Sequence, residues 1–300
     1  MGYLNFFIGK SRHLSVDKNR LKIIDEHGEA FLYPLEDINS ILIDSRELQL
    51  SSYLLSELAS HGIVLYICDE KHLPCGFLLP NNTYFKQLKI LGLQLAIAKP
   101  LKKRLWQSII VQKITNQAKC LDIIKCGYGS KNLLNLIPQI KSGDTGNIEA
   151  VAAKRYFGFL FGDGFTRDSN AFENSALNYG YAILRGAIAR TINAYGFIGS
   201  LGLNHHSILN AFNLADDLIE PFRPLVDLFI SGMAYGEELT PAHKKQLQGL
   251  LGMSIISGGE IYSVSYAVER LVMSLAKSME EEKNCLLLPD LCEIKEHLYE

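Results

Sequence analysis

The sequence lacks a surplus of charge of either sign, and it lacks the cysteine spacing that marks several classes of protein. Its 300 residues carry a formal net charge of −2 at pH 7. The chain therefore has no overall basic character, and any contact with nucleic acid has to come from a local patch of lysine and arginine. None of the six cysteines forms a C-x-x-C pair, which argues against a zinc ribbon or a redox motif and favours cysteines buried as small hydrophobic residues.

Long apolar runs are also missing. No run approaches the roughly 18 residues that a membrane-spanning helix needs, and the N-terminus has neither the charged start nor the apolar centre of a secretory signal. With 48% hydrophobic and 21% charged residues, the composition is that of an ordinary soluble protein with a sizeable core. We therefore expect a cytoplasmic protein of two modest domains or one large one.

The apolar residues of the first part of the chain form short or alternating runs separated by turn formers, which predicts strands. One segment, SSYLLSELASHG, instead predicts a helix that Ser51 or Ser52 caps and that ends near Gly62. Beyond residue 86 the apolar residues recur three and four positions apart, a spacing typical of helices packed among helices.

This change of spacing predicts an α+β protein. We expect a small β-sandwich or sheet domain over residues 1–80 and an all-α domain over residues 81–300, with the boundary at residues 80–83. The acidic run MEEEKN, at residues 279–284, is predicted to be a solvated loop or helix end.

Two histidines and three acids stand close together in the segment LGLNHHSILNAFNLADDLIEPFRP. They are His205, His206, Asp216, Asp217 and Glu220. Asn213 and Asp216 have nearly the spacing of a capping box, so Asp216 is predicted to be a helix-start acid. Asp217 and Glu220 share one helical face and repel unless a cation lies between them. If Arg223 is that cation, the acids form a structural salt bridge. If the cation is a divalent metal, the segment is a functional site, because an imidazole with carboxylates suits Mg²⁺ or Mn²⁺.

A further acid, Glu149, lies upstream in the first turn of a predicted helix that follows SGDTGN. The helix dipole alone can explain an acid at this position. The residues that follow are nearly all small and apolar, however, and a carboxylate at the start of a buried helix needs a partner.

Taken in order, these segments resemble the CRISPR-associated (Cas) adaptation nuclease–integrase family, most closely its members from type II systems. The likeness covers nearly the whole chain. It rests on Asn147-x-Glu149, the stretch NSALNYGYAILR, Gly202-x-x-His205, and the run DLIEPFRP with Asp217 and Glu220.

The resemblance implies that Glu149, His205 and Glu220 are catalytic residues and ligands of Mg²⁺ or Mn²⁺. Asp217 occupies the position of an acid in the family's motif. We expect it to orient His205 or a metal-bound water without binding the metal itself. His206 receives no role from the resemblance, although it would compete with His205 if the loop were shifted by one residue.

The resemblance also implies a reaction and an assembly. The reaction is the insertion of short DNA fragments, as spacers, into a CRISPR array, in which a 3′-hydroxyl attacks a phosphodiester and no protein nucleophile is required. The assembly is a homodimer formed through the N-terminal domains, joined by a small ferredoxin-like Cas partner dimer in a larger complex on double-stranded DNA.

The best local source of positive charge is the predicted helix in AKPLKKRLWQSIIVQK. Its basic residues are Lys99, Lys102, Lys103, Arg104 and Lys113. We predict that Lys102, Lys103 and Arg104 bind DNA, although the same residues are compatible with a merely solvated helix face. Trp106 is flanked by apolar residues, which favours a place in the core.

Two other functions remain compatible with the sequence. The same site would cleave branched or damaged DNA if water were the nucleophile, and this alternative differs in whether strands are joined or only cut. The second alternative is a non-catalytic assembly protein that binds DNA through the basic helix, in which Glu149 and the other acids would be structural.

Overall fold

The structure is a computed structural model that describes residues 4–9, 13–25, 27–69, 74–78, 87–167, 171–234, 236 and 238–297. Its N-terminal part consists of strands and one helix. These are β1 (Leu4–Ile8), β2 (His13–Asp17), β3 (Arg20–Ile24), β4 (Ala30–Pro34), β5 (Ile38–Ile43), α1 (Ser52–Ser60), β6 (Val64–Cys68) and β7 (Pro74–Leu78).

These strands form two separate sheets. One has the order β1-β5-β6-β7, in which β1, β5 and β6 are parallel and β7 runs antiparallel to β6. The other is the antiparallel sheet β2-β3-β4. Apolar side chains from both sheets and from α1 form one buried cluster, so the predicted β-rich region has a core of its own.

Local signals in this region act as the sequence predicts. The Ser51 hydroxyl accepts a hydrogen bond from the Leu54 amide at 3.1 Å and caps α1. Gly62, with a φ of +71°, follows the end of that helix. Lys18 and Asn19 both have positive φ angles, of 49° and 63°, which is the geometry of a two-residue hairpin turn between β2 and β3.

Helices dominate the rest of the chain. They are α2 (Gln87–Ala96), α3 (Lys99–Ile123), α4 (Gly127–Leu134), α5 (Ile148–Phe161), α6 (Phe172–Ala194), α7 (Asn213–Leu218), α8 (Arg223–Ser231), α9 (Pro241–Gln248) and α10 (Val264–Glu280). The α+β class is thus confirmed, whereas the expected boundary at residues 80–83 lies outside the described residues. In the described part of the chain, no helix has the length and apolar character needed to cross a membrane.

The helical region also contains a small sheet, which the prediction of an all-α domain did not include. Its strands are β8 (Ser254–Ser257), β9 (Glu260–Ser263) and β10 (Pro289–Asp290), in the order β10-β8-β9. Gly258 and Gly259, both with positive φ, form the turn between β8 and β9. Strands of four residues are too short to establish a period, so the Gly-Gly turn is the signal that identifies them.

Helix α3 is the central element of the helical region, and it contacts α4, α5 and α8. Trp106 is buried on it, as predicted, among Leu105, Ile109 and Ile110. The acidic run that follows Met279 is exposed at residues 280–284, also as predicted.

The sheet region and the helical region are joined by close contacts. A Cβ atom on Gly186 of α6 would lie 2.0 Å from the ring of Tyr66 in β6, so this crossing requires glycine. Asp44 and Lys244 form a buried ion pair across the same junction, with 3.0 Å between Oδ2 and Nζ. These contacts fix the sheets against the helices that carry the site.

The prediction of buried cysteines is correct for only one of the six. Cys120 is buried, Cys75 is exposed, and the other four are partly buried; none forms a disulfide. The pattern of cysteines alone does not reveal burial, because it depends on which helix or sheet face each residue occupies.

Candidate metal centre

A left-handed turn places Glu149 in the first turn of α5. Gly143, Asp144 and Asn147 have positive φ angles of 74°, 46° and 49°, a conformation that is costly for residues other than glycine. The Asp144 carboxylate accepts hydrogen bonds from the amides of Ile148 and Glu149 at 2.9 and 3.0 Å. It therefore satisfies two of the free amides at the start of the helix and fixes the direction in which Glu149 leaves it.

Asp217 organises the loop that carries His205. Its side chain has no exposed surface. One carboxylate oxygen accepts hydrogen bonds from the amides of Leu203 and Asn204, at 2.6 and 3.1 Å. The other accepts the His205 amide at 3.0 Å and lies 2.8 Å from Nδ1 of the His205 ring. A single buried carboxylate thus holds both the backbone and the ring of His205.

This contact determines which ring nitrogen of His205 is available. Because an ionised carboxylate only accepts hydrogen bonds, Nδ1 carries the proton in the neutral ring and Nε2 keeps its lone pair for a ligand. The hydrogen bond to Asp217 raises the pKa of His205, while partial burial opposes the rise. The edge of the His205 ring meets Trp106, with 5.7 Å between the ring centroids.

The glycine of the Gly202-x-x-His205 motif is required by close approach. A Cβ atom at Gly202 would lie 2.3 Å from the carbonyl oxygen of His205 and 2.8 Å from Oδ2 of Asp217. Any larger residue would therefore push the loop off the carboxylate that holds it. The Gly202 carbonyl also accepts a hydrogen bond from Lys102 Nζ at 3.3 Å, which ties the loop to α3.

Glu220 lies just after α7, at the start of a short 3₁₀ turn, and is buried. Its Oε1 accepts a hydrogen bond from Arg223 Nε at 2.8 Å. Its Oε2 lies 2.5 Å from Nζ of Lys113, and the same nitrogen lies 2.5 Å from Oε1 of Glu149. One ammonium group therefore bridges two of the predicted ligands.

The charges at this bridge support one another. Burial opposes the charged form of Lys113, but the carboxylates of Glu220 and Glu149 outweigh that effect and raise the pKa of its ammonium group. Burial also opposes the charged form of Glu220 and would raise its pKa, yet the positive charges of Lys113 and Arg223 lower that pKa to about 2. The Glu220 carboxylate and the Lys113 ammonium are therefore both ionised at neutral pH.

Two features behind Glu220 hold its segment in place. The amide of the buried Asn116 donates hydrogen bonds to the carbonyl of Pro221 at 2.7 Å and to that of Pro289 at 3.0 Å. The Arg223 guanidinium lies over the ring of Tyr181, 4.5 Å from its centroid, and the Tyr181 hydroxyl donates a short hydrogen bond to the buried Asp227.

Asp216 lies in the first turn of α7, as predicted for a helix-start acid, and its carboxylate pairs outside this centre. Helix α7 has Phe212 at its cap and no side-chain capping bond, so the predicted capping box is absent. The Asp216 carboxylate instead accepts hydrogen bonds from Arg185 Nε and Nη2 at 2.7 and 2.9 Å. His206 is exposed, and its Nδ1 contacts only the carbonyl of Asn204 among the described hydrogen bonds.

The basic helix divides into two parts. A pocket of about 210 Å³ lies beside the His205 loop. It is lined by Lys99, Lys102, Lys103, Trp106, Gly143, Leu203 and Asn204. Lys103 and Arg104 are exposed and Lys102 is half-buried, so all three are compatible with a DNA surface. Lys113 is not, because it points into the carboxylate pair rather than onto the expected basic face.

Sequence analysis thus missed Lys113 as part of the centre. A signal for it exists, since Lys113 follows Trp106 by seven residues and Ile109 by four and therefore falls on the buried stripe of α3. A lysine on such a stripe requires a buried acid as its partner. Asn116, on the same stripe, carries the same kind of signal.

The donor set fits a divalent cation. Among the described residues, no three His, Cys, Asp or Glu side chains are already drawn together as a metal site. The Lys113 ammonium nevertheless shows that Glu149 and Glu220 reach one cation. Two carboxylates with the free Nε2 of His205 would suit Mg²⁺ or Mn²⁺.

Comparisons with known proteins identify the family. Residues 6–254 match the model of the family described as CRISPR associated protein Cas1. The whole chain is 45% identical to a CRISPR-associated endonuclease Cas1 of Neisseria meningitidis serogroup C (strain 8013), across the full length of both proteins.

Two solved structures share the fold. A casposase bound to integration product superposes with a TM-score of 0.78 at 21% identity, covering 95% of this chain and 92% of the other. A chain of a Cas6-RT-Cas1–Cas2 complex gives a TM-score of 0.73 at 16% identity, covering 96% of this chain and 36% of that longer chain. The resemblance noted in the sequence is therefore confirmed, and this chain belongs to the family of CRISPR-associated Cas1 proteins.

Proposed function

We propose that this protein is a metal-dependent DNA endonuclease and integrase that inserts short DNA fragments, as spacers, into a CRISPR array. The observation that carries the proposal is the convergence of Glu149 and Glu220 on one cation, beside a histidine whose free ring nitrogen is set by Asp217. Membership of the Cas1 family supports it, as does the name endonuclease borne by the relative that is 45% identical.

In this reaction the chain's own residues would position the metal ion. Glu149, Glu220 and Nε2 of His205 would hold Mg²⁺ or Mn²⁺, and Asp217 keeps the histidine ring in the orientation that this requires. A bound divalent cation supplies Lewis-acid stabilisation to the phosphoryl oxygens during the attack of a 3′-hydroxyl on a phosphodiester. None of the residues at the centre is needed as a nucleophile.

The DNA strand is proposed to cross the basic end of α3. Lys102 and Lys103 line the pocket next to the His205 loop, and Arg104 extends the charge along the exposed surface. Lysines at this place would neutralise phosphates close to the metal centre and bring the reacting phosphodiester towards it.

A larger assembly belongs to the same proposal. We infer a homodimer formed through residues 1–80, because β4 is the edge strand of its sheet and exposes two large apolar side chains, Phe31 and Leu32. A small ferredoxin-like Cas partner dimer is the further component. It is supported by the structural neighbour that occurs in a complex with Cas2, and the assembly would work in the cytoplasm.

The experiment combines a labelled DNA fragment, a plasmid that carries a CRISPR repeat, the partner protein and Mn²⁺. We expect the label to become covalently joined to the repeat, and Glu149→Ala to abolish joining while the protein stays folded. Cleavage without joining, on branched or damaged DNA, would favour the nuclease alternative. Full activity of Glu149→Ala would favour the non-catalytic assembly alternative and contradict the proposal.

A further inference from the structure

The ammonium group of Lys113 occupies the place where the two carboxylates of the centre converge. It projects from the middle of α3, its side chain is 9% exposed, and Nζ lies 2.5 Å from an oxygen of Glu149 and 2.5 Å from an oxygen of Glu220. Arg223 takes the remaining oxygen of Glu220 at 2.8 Å. The carboxylates that would hold a metal are thus already paired with cations of the protein.

The charges at this cluster decide what happens when a divalent cation arrives. Two carboxylates face two permanent cations, so the cluster of Glu149, Glu220, Lys113 and Arg223 is neutral as it stands. A divalent cation placed between the same carboxylates would meet an ammonium group a few ångströms away in a largely buried site, where repulsion is poorly screened. Either Lys113 moves away or new negative charge must enter.

A DNA phosphate supplies such negative charge. The proposed reaction requires a phosphodiester at the metal, next to the side chain of Lys113. The lysine stem is long and flexible, and its ammonium is a compact donor of three hydrogen bonds, so the group can leave the carboxylates for a phosphate oxygen without movement of α3.

We propose that Lys113 is an internal counter-cation that competes with the metal for Glu149 and Glu220, and that a DNA phosphate takes it over when the metal binds. Metal and DNA then favour each other's binding, because each relieves the charge that the other creates, and the coupling is reciprocal. This inference rests on the proposed function, since it presupposes the metal centre. It adds that the centre is closed by its own lysine until DNA is present.

The test is isothermal titration of the full-length protein with Mn²⁺, with and without a short DNA duplex that lacks a repeat. We expect Lys113→Met to bind Mn²⁺ about tenfold more tightly than the unsubstituted protein without DNA. We also expect DNA to tighten Mn²⁺ binding in the unsubstituted protein and much less in Lys113→Met. The matched control is Lys119→Met on the same helix, which removes a lysine paired with Asp290 at 2.6 Å and should leave Mn²⁺ affinity unchanged.

A second variant guards against a folding effect. Lys113→Arg keeps the positive charge and should bind Mn²⁺ no more tightly than the unsubstituted protein. Equal or weaker Mn²⁺ binding by Lys113→Met, or undiminished coupling to DNA, would overturn the inference while leaving the metal centre intact. If the unsubstituted protein showed no Mn²⁺ binding that Glu149→Gln removes, both the inference and the proposed centre would fail.

Discussion

Asp217 holds His205 twice, through the backbone amide at 3.0 Å and through the ring Nδ1 at 2.8 Å. The carboxylate is fully buried, and every hydrogen bond described for it goes to the loop that ends in His205. Asp217 therefore links the end of α7 to the position of a proposed ligand without being that ligand.

We predict that Asp217→Asn lowers the rate of strand joining by about 10–100-fold, a typical cost for losing a residue that orients a ligand. An amide cannot accept from all four donors, so the loop amides of Leu203 to His205 should also lose protection from hydrogen exchange. Asp216→Asn is the matched control, because Asp216 is the adjacent residue and its carboxylate pairs with Arg185 outside the centre. If both variants lost activity equally, the assignment of Asp217 to His205 would be wrong.

Gly202→Ala is predicted to displace the His205 loop. The added methyl group would stand 2.3 Å from the His205 carbonyl oxygen, which is backbone and cannot move aside cheaply. We expect a lower thermal midpoint and a large loss of strand joining. Gly164→Ala is the control, since a Cβ atom there meets nothing within 4 Å. A Gly202→Ala protein with normal joining would show that the loop geometry is not needed.

Much of this arrangement could be predicted from the sequence, for identifiable reasons. Glu149, His205, Asp217 and Glu220 lie in compact motifs whose order is specific, and Ser51 follows a local capping rule. The Lys113 bridge depends on the rotation of α3 against two distant segments, which no local pattern fixes.

Asp216 stands in the first turn of α7 as predicted, but the capping box expected there is absent. Its spacing from Asn213 fits a capping box, but Arg185 on the neighbouring helix α6 offers two charged donors. Both carboxylate oxygens of Asp216 accept hydrogen bonds from that guanidinium, a bidentate ion pair that adds geometric specificity and energy, and the side chain makes no capping bond.

The buried Asp227 predicts a dependence of stability on pH. Burial is the largest influence and raises the pKa of Asp227 to about 6, although hydrogen bonds from Tyr181 and Tyr156 oppose the rise. A carboxyl group with a raised pKa contributes stability that is fully present below its unfolded pKa of 3.8 and is lost as the pH rises through about 6.

Asp227→Asn should therefore be more stable than the unsubstituted protein above pH 7, by up to about 3 kcal/mol. The advantage should disappear below about pH 4, where the aspartic acid is protonated in both states. Denaturant unfolding across this pH range measures the difference. A constant difference in stability at every pH would mean that the protonation of Asp227 does not change on unfolding, which would contradict the raised pKa.

Lys103→Glu is predicted to weaken binding of unrelated DNA sequences alike and to reduce the salt dependence of binding, because phosphate contacts carry no sequence information. Mn²⁺ binding should remain. The control is Lys277→Glu on α10, where the lysine is exposed and lies 3.7 Å from Glu281. Fluorescence anisotropy at several salt concentrations gives the slope of DNA affinity against salt concentration. Equal slopes for the two variants would mean that the basic end of α3 is a solvated face that does not bind DNA.

The central claim is that Glu149, Glu220 and His205 hold one divalent cation. The most direct measurement is the anomalous scattering of Mn²⁺ in crystals grown with Mn²⁺ and DNA. We predict a single strong peak in contact with an oxygen of Glu149, Oε2 of Glu220 and Nε2 of His205, with Lys113 withdrawn from the two carboxylates. A peak bound by Asp217 in place of Glu220, or no peak at these residues at saturating Mn²⁺, would contradict the account.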